Sequence, residues 1–239
     1  MTSLIISDNT TKIITNFNPS IEFNKHKKYE MCLLQLETYN SLPNIIEGEN
    51  NKFIYSHDKG TTWNEIKLGT GAYDISNIND FLMENIIDNN IQSERPISIE
   101  ANPNTLRSVL KITNENYQVD FTNNNTFRKL LGFEQKIYKQ GKHESEQIVN
   151  ILPVNSIFVM NNIIEGCTIN GISTPIIFKF FPNVQPGEKI VIIPPKPIYL
   201  PIIMETITSM ITTLTDQNLK QINLRNEEIT IWYHIREQK

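Results

Sequence analysis

Along residues 229–236 apolar and polar side chains take strict turns. Ile229, Ile231, Tyr233 and Ile235 fall on one side, and Thr230, Trp232, His234 and Arg236 on the other. A period of two is the signature of a strand with one buried face. The same alternation, less regular, predicts strands at 4–7, 12–17, 52–56, 63–68, 97–100, 106–112, 117–121, 176–181, 189–193, 198–203 and 206–214, with a long strand-like stretch at 148–164. Residues 29–39 differ: Met31, Cys32, Leu33 and Leu34 are consecutive apolar residues, as in a strand covered on both faces, before alternation resumes.

Only two segments read as helical. Ile78, Phe81, Leu82 and Ile86 recur at helical spacing, with Ser76 as the expected cap, Ile75 as the preceding staple and an end near Asp88-Asn89-Asn90. A shorter helix over 126–131 is expected to stop at Gly132 in a left-handed conformation, with Phe133 folding back on the preceding turn. Turns are expected at Asn18-Pro19, His57-Asp58-Lys59-Gly60, Asn102-Pro103-Asn104, Asn114-Glu115-Asn116 and Asn170-Gly171. Many strands with two short helices predict an all-β chain, an antiparallel β-sandwich of jelly-roll type. The expected organisation is one domain over 1–239, with 1–28 as an N-terminal arm and 139–147 as an exposed loop.

Composition supports sheet over helix. About 39 isoleucines and about 30 asparagines stand against about two alanines, although alanine is among the commonest residues of an average chain and the best helix former. The net charge of −4, from 22 basic and 26 acidic residues in 239, marks neither an acidic tail nor a nucleic-acid clamp. The one basic cluster, Lys25-His26-Lys27-Lys28, has only Tyr29 as an aromatic neighbour, so nucleic-acid binding is not expected. Residues 1–7 lack the basic stretch and apolar run of a secretory signal. The apolar runs 190–193 and 198–203 are interrupted by Pro194, Pro195, Pro197 and Pro201, so no membrane insertion is expected.

A search for chemistry returns little. The histidines His26, His57, His143 and His234 share no ligand spacing, and Cys32 and Cys167 form neither a Cys-x-x-Cys pair nor a catalytic signature. Gly69-Thr70-Gly71 lacks the Lys-Ser/Thr of a phosphate loop. The carboxylate pairs Glu227-Glu228 and Glu144/Glu146 lie in no apolar surround that would split their pKa values. Neither an enzyme nor a bound cofactor or metal is expected. Trp232 and His234, on the outer face of the last strand, are the candidate interface residues, since aromatics are enriched in interface cores; Tyr199 joins them as a possible stacking surface.

Four phrases taken in order carry a resemblance: Leu68-Gly69-Thr70-Gly71-Ala72-Tyr73-Asp74-Ile75, Leu130-Leu131-Gly132-Phe133, Ile198-Tyr199-Leu200-Pro201, and the ending Thr215-Asp216-Gln217 through Leu224-Arg225-Asn226-Glu227-Glu228-Ile229 to His234-Ile235-Arg236. Together they resemble virus-like proteins carried by Polinton (Maverick) elements and adintoviruses, over about residues 29–236. One departure is the turn Thr70-Gly71-Ala72-Tyr73, where the family has Pro-Gly before the aromatic. The resemblance implies a penton-like minor capsid protein. It would form a homo-oligomer (pentamer or trimer), meet other capsid proteins, and reside in the virion after intracellular assembly. It carries over no catalytic residue. A second expectation, from the same sandwich, is a fibre-like receptor- or glycan-binding module using Trp232 or Tyr199.

Overall fold

The computed structural model describes residues 2–86 and 95–238. The chain opens with β1 (Thr2–Asp8), β2 (Lys12–Glu22) and β3 (Tyr29–Tyr39). It continues through β4 (Lys52–Ser56), β5 (Asn64–Lys67), α1 (Ile75–Asn85), β6 (Ile97–Asn102), β7 (Arg107–Ile112), β8 (Gln118–Asp120), α2 (Arg128–Leu131), β9 (Ile137–Tyr138) and β10 (Gly141–Glu144). The remainder is β11 (Ile157–Asn161), β12 (Cys167–Ile169), β13 (Ile172–Thr174), β14 (Ile176–Phe180), β15 (Lys189–Ile192), β16 (Leu200–Pro201), β17 (Thr206–Thr215) and β18 (Ile229–Glu237).

Where the sequence suggests one domain, the contacts divide the chain into two compact units, Met1–Leu42 with Val154–Lys239, and Pro43–Pro153. The physical reason is that the buried apolar residues form two separate clusters, one per unit. The second unit is therefore an insertion in the sequence between β3 and β11.

The first unit is built from two sheets, β1-β18-β3-β15 with β16 also on β3, and β14-β11-β17-β2. Number its eight principal strands β1, β2, β3, β11, β14, β15, β17 and β18 in chain order. The first pairs with the eighth, the second with the seventh, the third with the sixth and the fourth with the fifth, all antiparallel. Such a nested set is one long ribbon of paired strands rolled up on itself. The roll is closed by the eighth strand against the third and the fourth against the seventh. This is a jelly roll, and the all-β reading with two short helices is what the chain adopts. Ile231 and Tyr233 of β18, Leu33 and Leu36 of β3, Val159 of β11, and Met210 and Leu214 of β17 fill one core between the two sheets. Burying each such side chain stabilises the unit by about 1.5–3 kcal/mol.

Tyr233 puts a hydroxyl into that core, which would cost stability if left alone. Its Oη lies 3.2 Å from Thr212 Oγ1, and Thr212 Oγ1 accepts a hydrogen bond from Asn161 Nδ2 at 3.1 Å. Asn161 Oδ1 in turn accepts from the Ile163 amide. Burial pushes the Tyr233 phenol up to about 12.

Residues 1–28 carry β1 and β2 instead of an arm: β1 pairs with β18 from Thr2 to Asp8, and β2 forms the free edge of the second sheet. Asn18-Pro19 does not turn the chain. It lies within β2, where the register against β17 shifts, a place where an edge strand tolerates proline. Asn170 and Gly171, with φ of 48° and 85°, do form the expected tight turn, between β12 and β13.

The second unit has sheets β10-β7-β6 and β5-β4-β8-β9. Its core is aromatic: Phe53 stacks on Phe127 at 5.6 Å between centroids, and Phe121 on Phe133 at 5.4 Å. Helix α1 buries Ile78 and Leu82, with Phe81 and Ile86 packed alongside. Its cap is Asp74, not Ser76. The Asp74 carboxylate accepts from the Asn77 amide at 2.7 Å, and the Asn77 side chain accepts from the Asp74 amide at 3.2 Å, a reciprocal capping box. Ser76 supports the cap by donating its hydroxyl to Asp74, and Ile75 is the first helical residue instead of a staple. The expected end at Asp88-Asn89-Asn90 lies outside the described residues.

Helix α2 stops as expected. Gly132 has φ of 84°, and the Phe133 amide reaches back to the Arg128 carbonyl at 2.9 Å. Within 139–147, mostly exposed as expected, the chain nonetheless forms β10, which adds an edge to β7 because its backbone finds partners there.

Candidate functional site on the outer face of the first sheet

Because Ile229, Ile231, Tyr233 and Ile235 turn into the core, the alternate residues of β18 form a row on the outside of the first sheet. At the end nearer the chain terminus this row becomes a locked polar and aromatic cluster. His234 faces Ser3 of β1 on one side and Cys32 of β3 on the other. The Tyr199 hydroxyl, from the irregular segment before β16, is hydrogen-bonded to His234 Nδ1 at 2.9 Å, with the two rings edge to face at 5.9 Å. Arg236 lays its guanidinium over the Tyr199 ring at 3.4 Å and donates through Nε to Glu30 at 2.6 Å. Cation over ring and charge-assisted hydrogen bond thus share one arginine.

Cys32 sits beneath this cluster, fully buried. Burial pushes its thiol pKa up, and hydrogen bonding to Tyr199 only partly offsets this. A thiol held in the protonated form is a poor nucleophile, so the neighbouring His234 and Cys32 do not make a reactive pair. Burial, with the bond to Cys32, also pushes the Tyr199 phenol up. Among the described residues no group of three or more His, Cys, Asp or Glu side chains is arranged to hold a metal ion. The cluster's chemistry is cohesion. It clamps the proline-rich segment before β16 onto the sheet and covers Cys32, which lies between the core residues Met31 and Leu33.

The other end of the row is apolar and open. Trp232, 39% exposed, stands directly opposite Ile5 of β1, which is 66% exposed. The next pair, Ser7 and Thr230, is joined by a hydroxyl hydrogen bond of 2.9 Å. On the far edge Val191 of β15 and Tyr39 of β3 are also exposed, at 49% and 42%. Lys189, opposite Tyr39, forms a diagonal ion pair with Glu37, which is opposite Val191.

No protein-family model matches the sequence, and no curated protein matches it. Its fold does have solved counterparts. A crystal structure of the mavirus penton protein superposes with a TM-score of 0.50 at 10% identity, covering 99% of this chain and 98% of that one. A cryo-EM structure of the Sputnik virophage gives a TM-score of 0.42 at 13% identity, covering 98% of this chain and 97% of that one. The mavirus likeness establishes the fold, and it extends over both units in sequence.

Of the three residues singled out from sequence, the structure brings Tyr199 and His234 together and leaves Trp232 apart beside Ile5. Arg236 occupies one side of the Tyr199 ring. Sequence reading missed Arg236, Glu30 and Ile5. Arg236 was within reach, because it shares the strand parity of Trp232 and His234. Glu30 and Ile5 were not, because their places depend on the register of β3 and β1 against β18, including a bulge between Trp232 and Tyr233.

Proposed function

We propose that this protein is a penton-like minor capsid subunit, a structural protein that associates with copies of itself and with other capsid proteins in a virion shell or its vertex. The observation that supports this most is the nested pairing of eight strands in a jelly roll, together with end-to-end correspondence to a protein solved as the mavirus penton. Self-association would be a cyclic, head-to-tail arrangement in which a face of one copy meets a different face of the next, as rings require. The exposed row of Trp232 and Ile5 supplies an apolar centre for one such face, and the Tyr199–His234–Arg236 cluster a rigid polar flank. No enzymatic role is proposed.

Size-exclusion chromatography with light scattering tests this directly. A pentamer or trimer at micromolar concentration is expected, and Trp232→Ala or Ile5→Asp should shift it toward monomer by at least tenfold in dissociation constant, about 1.4 kcal/mol. A strict monomer at every concentration, with or without other capsid proteins, would overturn the assembly reading. An oligomer indifferent to both substitutions would move the interface elsewhere.

A further inference from the structure

Hairpin β12–β13 is a two-stranded sheet of its own, held by the jelly roll only at its base. There Gly166 runs so close to the opposite strand that an added Cβ would lie 2.2 Å from the Thr174 carbonyl oxygen. The Pro175 carbonyl, just beyond, accepts from the Asn161 amide at 2.8 Å. Toward the tip Cys167 faces Thr174, Thr168 faces Ser173 and Ile169 faces Ile172, and among the described residues no third strand pairs with either side. A ribbon of two short strands is marginal in water, so the turn that closes it opens locally at little cost.

That turn is Asn170-Gly171, and of the nine glycines in the chain only Gly171 follows an asparagine. The order sets a backbone amide nitrogen beside a side-chain carboxamide, with no side chain on the second residue to hinder their approach. Both residues are exposed, and an added Cβ at Gly171 would meet nothing within 4 Å. Neither the Asn170 carboxamide nor the Gly171 amide makes a hydrogen bond among the described residues. Other turn asparagines differ on both counts. Asn102, Asn114, Asn123 and Asn223 each accept the amide two residues on, and are followed by Pro103, Glu115, Asn124 and Leu224. Asn40 donates to the Val184 carbonyl, and the Ser41 amide after it is bound to the Tyr39 carbonyl.

We propose that Asn170 is a self-modification site, where the chain deamidates through its own Gly171 amide and remodels the tip of the β12–β13 hairpin. The Gly171 amide gives its proton to hydroxide, its nitrogen bonds to Asn170 Cγ, and the Cγ–Nδ2 bond breaks as ammonia leaves, closing a succinimide ring. Water then opens the ring at Cγ to leave an aspartate, or at the backbone carbonyl to leave an isoaspartate. In sum one water enters and one ammonia departs, with nothing oxidised or reduced. Either product carries a new carboxylate at the tip. Isoaspartate also adds a methylene to the main chain between the paired residues Ile169 and Ile172, so the two-residue turn no longer fits their register.

The test is to incubate the folded full chain in mildly acidic and mildly alkaline buffer and follow each asparagine by peptide mapping with tandem mass spectrometry. Residue 170 is expected to convert first, and faster as the pH is raised. Asn170→Gly keeps a turn of the kind two-residue hairpins favour, and should abolish conversion there with thermal melting unchanged. Gly171→Asn puts back a side chain that tolerates positive φ, and should slow conversion by about tenfold or more, a barrier raised by about 1.4 kcal/mol or more. No conversion at 170 in the folded chain while the urea-denatured chain converts, another asparagine reacting as fast, or an unchanged rate in Gly171→Asn would overturn the proposal. The reaction is read on the covalent chain, so its outcome is independent of whether the protein assembles.

Discussion

The jelly roll and the inserted unit are both closed around apolar cores, yet they satisfy their polar groups by different means. In the jelly roll the long strands β2, β3, β17 and β18 run for nine to eleven residues, and the polar side chains that matter are neutral and deep, as in the Tyr233–Thr212–Asn161 relay. In the insertion no strand among the described residues exceeds six residues. There the turns are held by short-range bonds from side chains to backbone: Asp58 on Thr62, Asp74 on Asn77, and Asp120 on the Thr122 amide. Non-local pairing holds one unit, and local acceptors hold the other.

The most forceful way to break this comparison is to hollow each core in turn. Tyr233→Ala in the jelly roll and Phe53→Ala in the insertion each remove a large, fully buried ring, and each should cost about 3–5 kcal/mol. If the units melt separately, calorimetry should record two transitions, with each substitution lowering only its own. A single transition lowered equally by both would show that the two cores unfold as one.

A somewhat smaller effect compares two backbone joints. Gly132 in the insertion and Gly166 in the jelly roll have φ of 84° and 81°, and an added Cβ at either would lie 2.2 Å from a backbone carbonyl oxygen, of Gln147 and Thr174 respectively. Alanine at either position should cost about 2 kcal/mol or more, the left-handed penalty plus the displacement of a neighbouring strand or turn. Denaturant titration of the two variants measures it. Gly48→Ala, with φ of 81° and nothing within 4 Å, is the control that isolates the conformational part, about 1–2 kcal/mol.

Weaker again is the helix cap. Asp74→Ala removes one half of the α1 capping box and should cost about 1 kcal/mol, read on the insertion's transition alone. Asp74→Ser, which keeps an acceptor, should recover most of it; failure to do so would mean that the charge, not the hydrogen bond, is what the helix requires.

Single elements were legible in the sequence of both units, and the reason is physical. A strand buried on one face leaves an alternation that survives in the sequence, as at Ile229 to Ile235, and a glycine forced to positive φ leaves its mark, as at Gly132 and Gly171. The division into two units left none, because Leu42-Pro43 and Pro153-Val154 look like ordinary proline-marked turns, and which apolar residues share a core is a property of long-range pairing. The same limit applied at the outer face. Trp232 and His234 were visible as one strand's parity, but Tyr199 closing on His234, and Arg236 reaching Glu30, required the register of three strands. Asp74 was passed over for Ser76 because either side chain caps a helix; only the backbone's entry into the helix decides between them.

The gentlest perturbation, acid, tests the difference in polar bonding without any mutation. Among the described residues, five carboxylates of the insertion are held below their ordinary pKa: Asp58 by the Thr62 hydroxyl and amide, Glu65 by Lys52 and Lys67, Asp74 by the Asn77 amide and Glu144 by the Thr105 hydroxyl; at Glu146, burial opposes the charge but is outweighed by Lys136 and the Glu134 amide. In the jelly roll, among the described residues, only Glu37 is held down, chiefly by Lys189. A carboxylate with a depressed folded-state pKa contributes stability at pH above its unfolded value, near about 4, and loses it as pH falls through the folded value. The insertion's transition should therefore fall further than the jelly roll's on going from about pH 5 to pH 3, with both nearly flat between about pH 6 and 8. A jelly roll that softens first in acid would mean that its own surface pair, Lys189 with Glu37, carries more of its stability than its neutral core network does.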